Sequence, residues 1–231
     1  MTGPAWTPFL GSMALVAGLV VFLARRTAAL LAEPESPIAG LSRRAIYLNV
    51  VVSHGLVLAV ALLAAWLTGI PRSSFGLDAM PSVAQVLGLL AGLLVLNEMA
   101  DRLLGGDENA LRDLLAPASP AEWATLAIVV LPTVALSEEL LFRGVLIGAA
   151  ATGTDLSPAL LVAGSAILFG AAHSAQGTHG VVAATVLGLL LGVAFHLTGS
   201  LVFVVLVHYA LDLAEFLRYR DQARPSSARQ Y

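Results

Sequence analysis

Residues 124–151 read ATLAIVVLPTVALSEELLFRGVLIGAAA, two apolar runs joined by Ser137-Glu138-Glu139-Leu140-Leu141-Phe142-Arg143-Gly144. The flanks predict a membrane-embedded helix, and the junction places three formal charges in it. A charge at the centre of a spanning helix costs about 2.5–3.5 kcal/mol on insertion scales, so three oppose insertion by about 8–10 kcal/mol before mutual pairing offsets part of it. Ionisable groups kept inside a span are functional candidates by default.

The rest of the chain supports a membrane setting. Hydrophobic residues make up 58% of the 231 residues and charged residues 12%, with a mean hydropathy of +0.87. Such a balance predicts an all-α, polytopic integral membrane protein instead of a soluble domain. The length accommodates seven or eight spans of about 20 residues with short loops, leaving no room for a separate soluble catalytic domain. Absence of cysteine excludes disulfides, thiolate nucleophiles and cysteine metal ligands. All 12 cations are Arg, the net charge is −3, and no basic stripe suggests nucleic acid.

Apolar stretches fall at Ala5–Ala24, Ala45–Leu67, Val83–Ala100, Ala121–Leu136 continuing to Ala151, Pro158–Ala172, Val181–Leu197 and Leu201–Leu217. The first has its arginines, Arg25 and Arg26, after the apolar run, the reverse of a signal peptide, and reads as a retained anchor. Arg25, Arg26, Arg43 and Arg44 bracket the first loop, Arg102 and Arg112 lie in the third, and Arg218, Arg220, Arg224 and Arg229 crowd the C-terminus. The positive-inside rule places these three regions in the cytoplasm and the N-terminus outside. That pattern requires an odd number of spans, hence seven. Pro120–Ala151 exceeds what one bilayer needs, and reads as a tilted or broken helix, or as a span plus a shorter segment that would make eight.

Asp101–Ser119 carries leucines at near-helical spacing (Leu103, Leu104, Leu111, Leu114 and Leu115) and predicts a short amphipathic surface helix. Residues 223–231 are polar and predict a frayed tail. Gly88/Gly92 and Gly188/Gly192 have the small-xxx-small spacing of close helix packing. No internal repeat supports a transporter-like architecture.

Three polar constellations lie in the C-terminal half. Glu139 and Arg143 are four apart, on one helix face and in the acid-before-base order that favours pairing, while Glu138 points about 100° away. Glu138 is thereby free to act as a base. Phe169 and His173 share a face, separated by small residues that admit a neighbouring helix, and His208 and Asp212 share a face of the last span. Convergence of Glu138, His173 and His208 could polarise a water, directly or through a metal held by two His and one Glu. His54, His179 and His196 have no polar partner on their own faces and read as helix–helix hydrogen-bonding residues. Asn97, Glu98 and Asp101 read as solvated interfacial groups, and Glu215 as snorkelling or pairing with Arg218 or Arg220.

The ordered set resembles the CPBP family, the CAAX-processing membrane proteases and their bacteriocin-processing relatives. The family pattern Glu-Glu-x-x-x-Arg is matched by Glu138, Glu139 and Arg143, with Phe142 and Gly144 around the Arg. Phe-x-x-x-His is matched by Phe169 and His173, and His-x-x-x-Asn/Asp by His208 and Asp212; Thr198-Gly199-Ser200-Leu201 looks like the family's turn. The resemblance covers about residues 120–215. It implies an intramembrane endopeptidase with its active site in a membrane-embedded cavity. Glu138 and His173 would activate water, His208 and Asp212 assist at the scissile carbonyl, and Glu139 and Arg143 order the site. Either no cofactor or a divalent metal such as zinc, on Glu138, His173 and His208, suits that set. An ionised Asp212 cannot donate to an oxyanion as Asn could, so it must be protonated, orient His208 or ligate a metal.

The organisation expected is N-terminal transmembrane helices with an amphipathic loop over 1–119, a catalytic core over 120–217 and a polar cytoplasmic tail over 218–231. Composition rich in Ala, Leu and Arg and lacking Lys points to a high-GC bacterium, hence to a multi-pass protein of the bacterial inner membrane. Its expected partners are the lipid bilayer and a substrate at the membrane, a bacterial peptide or the C-terminal tail of a membrane or exported protein. The competing expectations are a non-catalytic immunity or scaffold protein of the same fold, and a proton-coupled transporter using Glu138 as relay.

Overall fold

The computed structural model describes residues 3–33, 35–38, 40–104 and 110–222, all helix and connecting loop without a strand. In chain order the helices are α1 (Trp6–Leu31), α2 (Arg43–Thr68), α3 (Val83–Leu104), α4 (Ala110–Leu115), α5 (Pro120–Gly153), α6 (Pro158–Ala172), α7 (Gly177–Thr198) and α8 (Leu201–Gln222). Local chemistry sets several boundaries. Ser42, Ser119 and Ser157 each accept a hydrogen bond from the backbone N–H three residues on, and Pro120 and Pro158 follow as first helical residues. Gly69 and Gly199, at φ 68° and 62°, end α2 and α7 in the left-handed conformation that glycine adopts without steric cost. Beyond Gly199, the Ser200 hydroxyl donates to Ala79 O and Leu201 N–H to Gly76 O, fastening the start of α8 to the α2–α3 loop.

By length and apolar composition α1, α2, α5 and the segment Ser174–Thr198 can each cross a membrane, while Val83–Met99 and α6 are shorter apolar helices. The protein is therefore a multi-pass helical membrane protein. α5 is the central element: half of its most apolar window is buried, against 17% for α1 and 11% for α2. It is one continuous 34-residue rod, so the alternative of a span plus a separate short segment does not hold.

The rod is not uniform. Leu126–Val130 and Leu140–Ala149 are π-helical. Pro132, which has no N–H, stands just after the first stretch, and Thr133 Oγ1 donates to Val129 O there. The second begins directly after Glu139, and local π geometry is frequent at functional sites. Residues 131–139 face α2 and α8, whereas residues 140–149 face α1, α6, α7 and the 3₁₀ turn Arg72–Phe75.

α6 and α7 form a tight hairpin. A Cβ on Gly188 would lie 3.2 Å from Ala166 Cα, and one on Gly192 would lie 3.2 Å from Val162 Cγ1, so this pair does pack as its spacing predicts. Gly88 and Gly92 do not: a Cβ on either meets nothing within 4 Å, because that face of α3 looks away from the bundle. A Cβ on Gly170 would stand 2.9 Å from Val181 O, on backbone that cannot yield without moving α7. Gly170→Ala is therefore expected to cost about 1–3 kcal/mol, as overpacking does. A lowered unfolding temperature of the purified protein in detergent is the check, and an unchanged one would contradict the close approach.

At one end of the bundle a polar network ties α3, α4 and α8 together. Asn97 Nδ2 donates to Glu215 Oε1, Glu215 pairs with Arg112 (3.3 Å) and Arg218 (3.8 Å), and Glu98 pairs with Arg218 and Arg102, both at 2.7 Å. Asn97 and Glu98 are thus interhelical ties and not merely solvated groups; Glu215 pairs with Arg218 as anticipated. Arg43 meets Glu122 at 3.1 Å at the same end. Of the predicted surface helix only Ala110–Leu115 is described as helix beyond α3, with Leu115 O accepting from Tyr47 Oη at 2.8 Å. Residues 105–109, the side chains of Asp101, Leu103, Leu104 and Leu111, and the predicted tail over 223–231 lie outside the described parts.

Candidate active site

The middle of α5 carries Glu138 and Glu139 into different surroundings. Glu139 and Arg143 are both fully buried, and Arg143 Nη1 donates to Glu139 Oε1 at 2.9 Å. The guanidinium also lies 4.3 Å above the Phe169 ring and within 3.4 Å of Gly188 O. A buried charge of this kind persists only with partners on several sides.

His208 reaches the same carboxylate from α8: its Nδ1 donates to Glu139 Oε1 at 2.7 Å. Adjacent residues of the motif therefore serve opposite ring nitrogens, since His208 Nε2 looks toward Glu138 Oε2 at 3.8 Å. His173 Nε2, from the end of α6, stands 3.8 Å from that same oxygen, while its Nδ1 donates to Phe169 O at 2.7 Å. A backbone carbonyl only accepts, so the His173 proton sits on Nδ1 and the Nε2 lone pair is turned to the site. Glu138 Oε2 is buried and has no hydrogen-bond partner among the described residues. Asp212 Oδ2 lies 3.5 Å from His208 Nε2, beside His208 as the one-face spacing requires.

Phe169 is the packing centre of this arrangement. It is fully buried, makes an edge contact with Phe142 at 5.1 Å, and lies 4.4 Å from the His173 ring and 5.9 Å from that of His208. Ser165 Oγ donates to Phe142 O at 2.6 Å and locks α6 to α5. The Phe169 ring thus packs against three of the polar side chains, Arg143, His173 and His208.

The structure thus brings together Glu138, Glu139, Arg143, His173, His208 and Asp212, all six residues singled out from the motifs. It also adds one. His54, from α2, has Nε2 at 3.5 Å from Glu138 Oε1 and Nδ1 at 2.9 Å from Val50 O. This agrees with the reading of His54 as a helix–helix residue, and the partner on the other helix is the site carboxylate Glu138. The available signal was its being an ionisable group inside a span. A cavity of about 180 Å³ at the other end of the bundle, lined by Ser74, Gly148, Phe195 and others, contains none of these residues. Among the described residues no three of His, Cys, Asp and Glu stand in a metal-holding arrangement.

Residues 120–214 match the family described as Type II CAAX prenyl endopeptidase Rce1-like. Over that segment, less than half of the chain, the sequence is thus similar to a family of CAAX-type membrane peptidases. No curated protein and no solved structure matches the chain.

Proposed function

We propose that this protein is an intramembrane endopeptidase that hydrolyses a peptide bond near the membrane surface with Glu138 as general base. The observation that supports this most is the meeting of three helices at one carboxylate oxygen, Glu138 Oε2, which His173 and His208 both face at 3.8 Å. A water with one proton toward Glu138 Oε2 and the other toward the His173 Nε2 lone pair presents its oxygen to a carbonyl carbon. Glu138 takes the first proton as the C–O bond forms, and passes it to the departing amine as the C–N bond breaks. His208, holding Glu139 through Nδ1, offers Nε2–H to the carbonyl oxygen when both ring nitrogens are protonated. Asp212, 3.5 Å from the same Nε2, is assigned to orienting His208 until the carbonyl oxygen takes over that N–H, the one of its three conceivable roles that the approach favours.

His173 ends α6 at the same end of the bundle as Arg43, Arg112 and Arg218, the end the positive-inside rule assigns to the cytoplasm. The proposed setting is a bacterial inner membrane, and the proposed substrate is a peptide or the C-terminal tail of a membrane or exported protein.

Protein in lipid nanodiscs, given a fluorescence-quenched farnesylated CaaX peptide, provides the test, alongside comparison of membrane peptides from cells with and without the active chain. His173→Ala and His208→Ala are each expected to lower kcat by about 10²-fold or more. Cleavage is expected to survive a divalent-metal chelator. Activity lost to the chelator and restored by zinc would overturn the metal-free mechanism, and full biological activity in the alanine variants would favour a non-catalytic membrane factor.

A further inference from the structure

We infer that His54 is a positioning residue of the site: it clamps Glu138 Oε1, so that Oε2 is held toward His173 and His208. The inference rests on the protease reading above. His54 belongs to α2, outside the residues 120–214 that match the family, so nothing in that match assigns it a role.

The geometry carries the assignment. His54 Nδ1 lies 2.9 Å from Val50 O and 3.4 Å from Ser53 Oγ, and the carbonyl can only accept. Nδ1 therefore bears a proton and the ring is fixed on its own helix, leaving Nε2 directed at Glu138 Oε1 at 3.5 Å. Glu138 acts as the base and is therefore ionised, so the proton across that gap is carried by Nε2 and His54 holds both of its ring protons. The carboxylate is then held at one oxygen from α2 while its other oxygen lies 3.8 Å from His173 and His208 Nε2 on α6 and α8. Glu138 has no cation on its own helix, since Arg143 is engaged by Glu139. Without His54 its carboxylate can rotate, and the water is no longer aligned. His54 makes no contact at the position assigned to the carbonyl, so its loss falls on turnover and not on substrate affinity.

The test compares His54→Phe, which keeps the ring volume without a donor, with His54→Gln, whose amide can still donate to Oε1. Cleavage of the farnesylated CaaX peptide in nanodiscs is expected to show kcat lowered about tenfold or more in His54→Phe with KM within about twofold, and most of kcat recovered in His54→Gln. Wild-type kcat in His54→Phe, a change in KM alone, or no recovery with Gln would overturn the role. Glu138→Gln separates this from the underlying reading: if it is inactive while His54→Phe is fully active, only the His54 role fails. If Glu138→Gln cleaves normally, the protease reading falls and the inference with it. A second measurement needs no turnover. In ¹⁵N-histidine-labelled protein, Glu138→Gln is expected to shift the His54 Nε2 resonance, and an unmoved resonance rejects the contact.

Discussion

Glu138→Gln is expected to abolish cleavage, lowering kcat by about 10²–10⁴-fold, in a protein that inserts and resists unfolding as the wild type does. The amide occupies the same space, and it can still bond to His54, which lies 3.5 Å from Oε1. What it lacks is the capacity to accept a proton at the oxygen that faces His173 and His208. The loss should therefore appear in kcat with little effect on KM. The measurement is peptide turnover in nanodiscs together with an unfolding curve for the same preparation. Retained turnover would remove Glu138 from the role of base. Lost turnover accompanied by lost folding would instead reveal a structural carboxylate.

Arg143→Met is the substitution expected to damage the fold most. It leaves Glu139 fully buried with His208 as its remaining partner, and removal of one member of a buried pair costs about 3–5 kcal/mol. Methionine fills much of the apolar part of the arginine side chain but offers neither the bond to Glu139 nor the cationic face over Phe169. The double variant Arg143→Met, Glu139→Gln should recover much of that loss, because no unpaired charge remains at the helix core. Unfolding of the purified protein by denaturing detergent gives the comparison. Equal stability of wild type and Arg143→Met would show that the pair contributes nothing net.

Much of this architecture is legible in the chain because bilayer burial writes itself into long apolar runs. α2, α6 and α8 begin within two residues of the expected positions, and α5 carries its charges where the composition breaks. The Glu139–Arg143 pair is legible too, since both members lie on one helix and one face. Contacts between helices leave no such periodic trace. That is why the approach of His54 to Glu138, the bond from His208 to Glu139 and the Asn97–Glu215 tie emerge only from the packed bundle. The glycine pairs show the same limit. Their spacing is identical, but only Gly188 and Gly192 have a neighbour to receive them. The π-helical stretches were equally hidden, because apolar residues at wider turns give much the same hydropathy as an ordinary helix.

The change of partners along α5 has a consequence for how far the site can be transplanted. Residues 131–139 rest on α2 and α8, and residues 140–149 on α1, α6 and α7. The segment that matches the family thus leans on both sides against helices the match does not include. Grafted alone into another membrane protein, α5 to α8 would bring the motif residues but not the surfaces that set their angular alignment. The first two helices are a jig for the rod, and a chimaera that replaced them would inherit the motif while losing its phase.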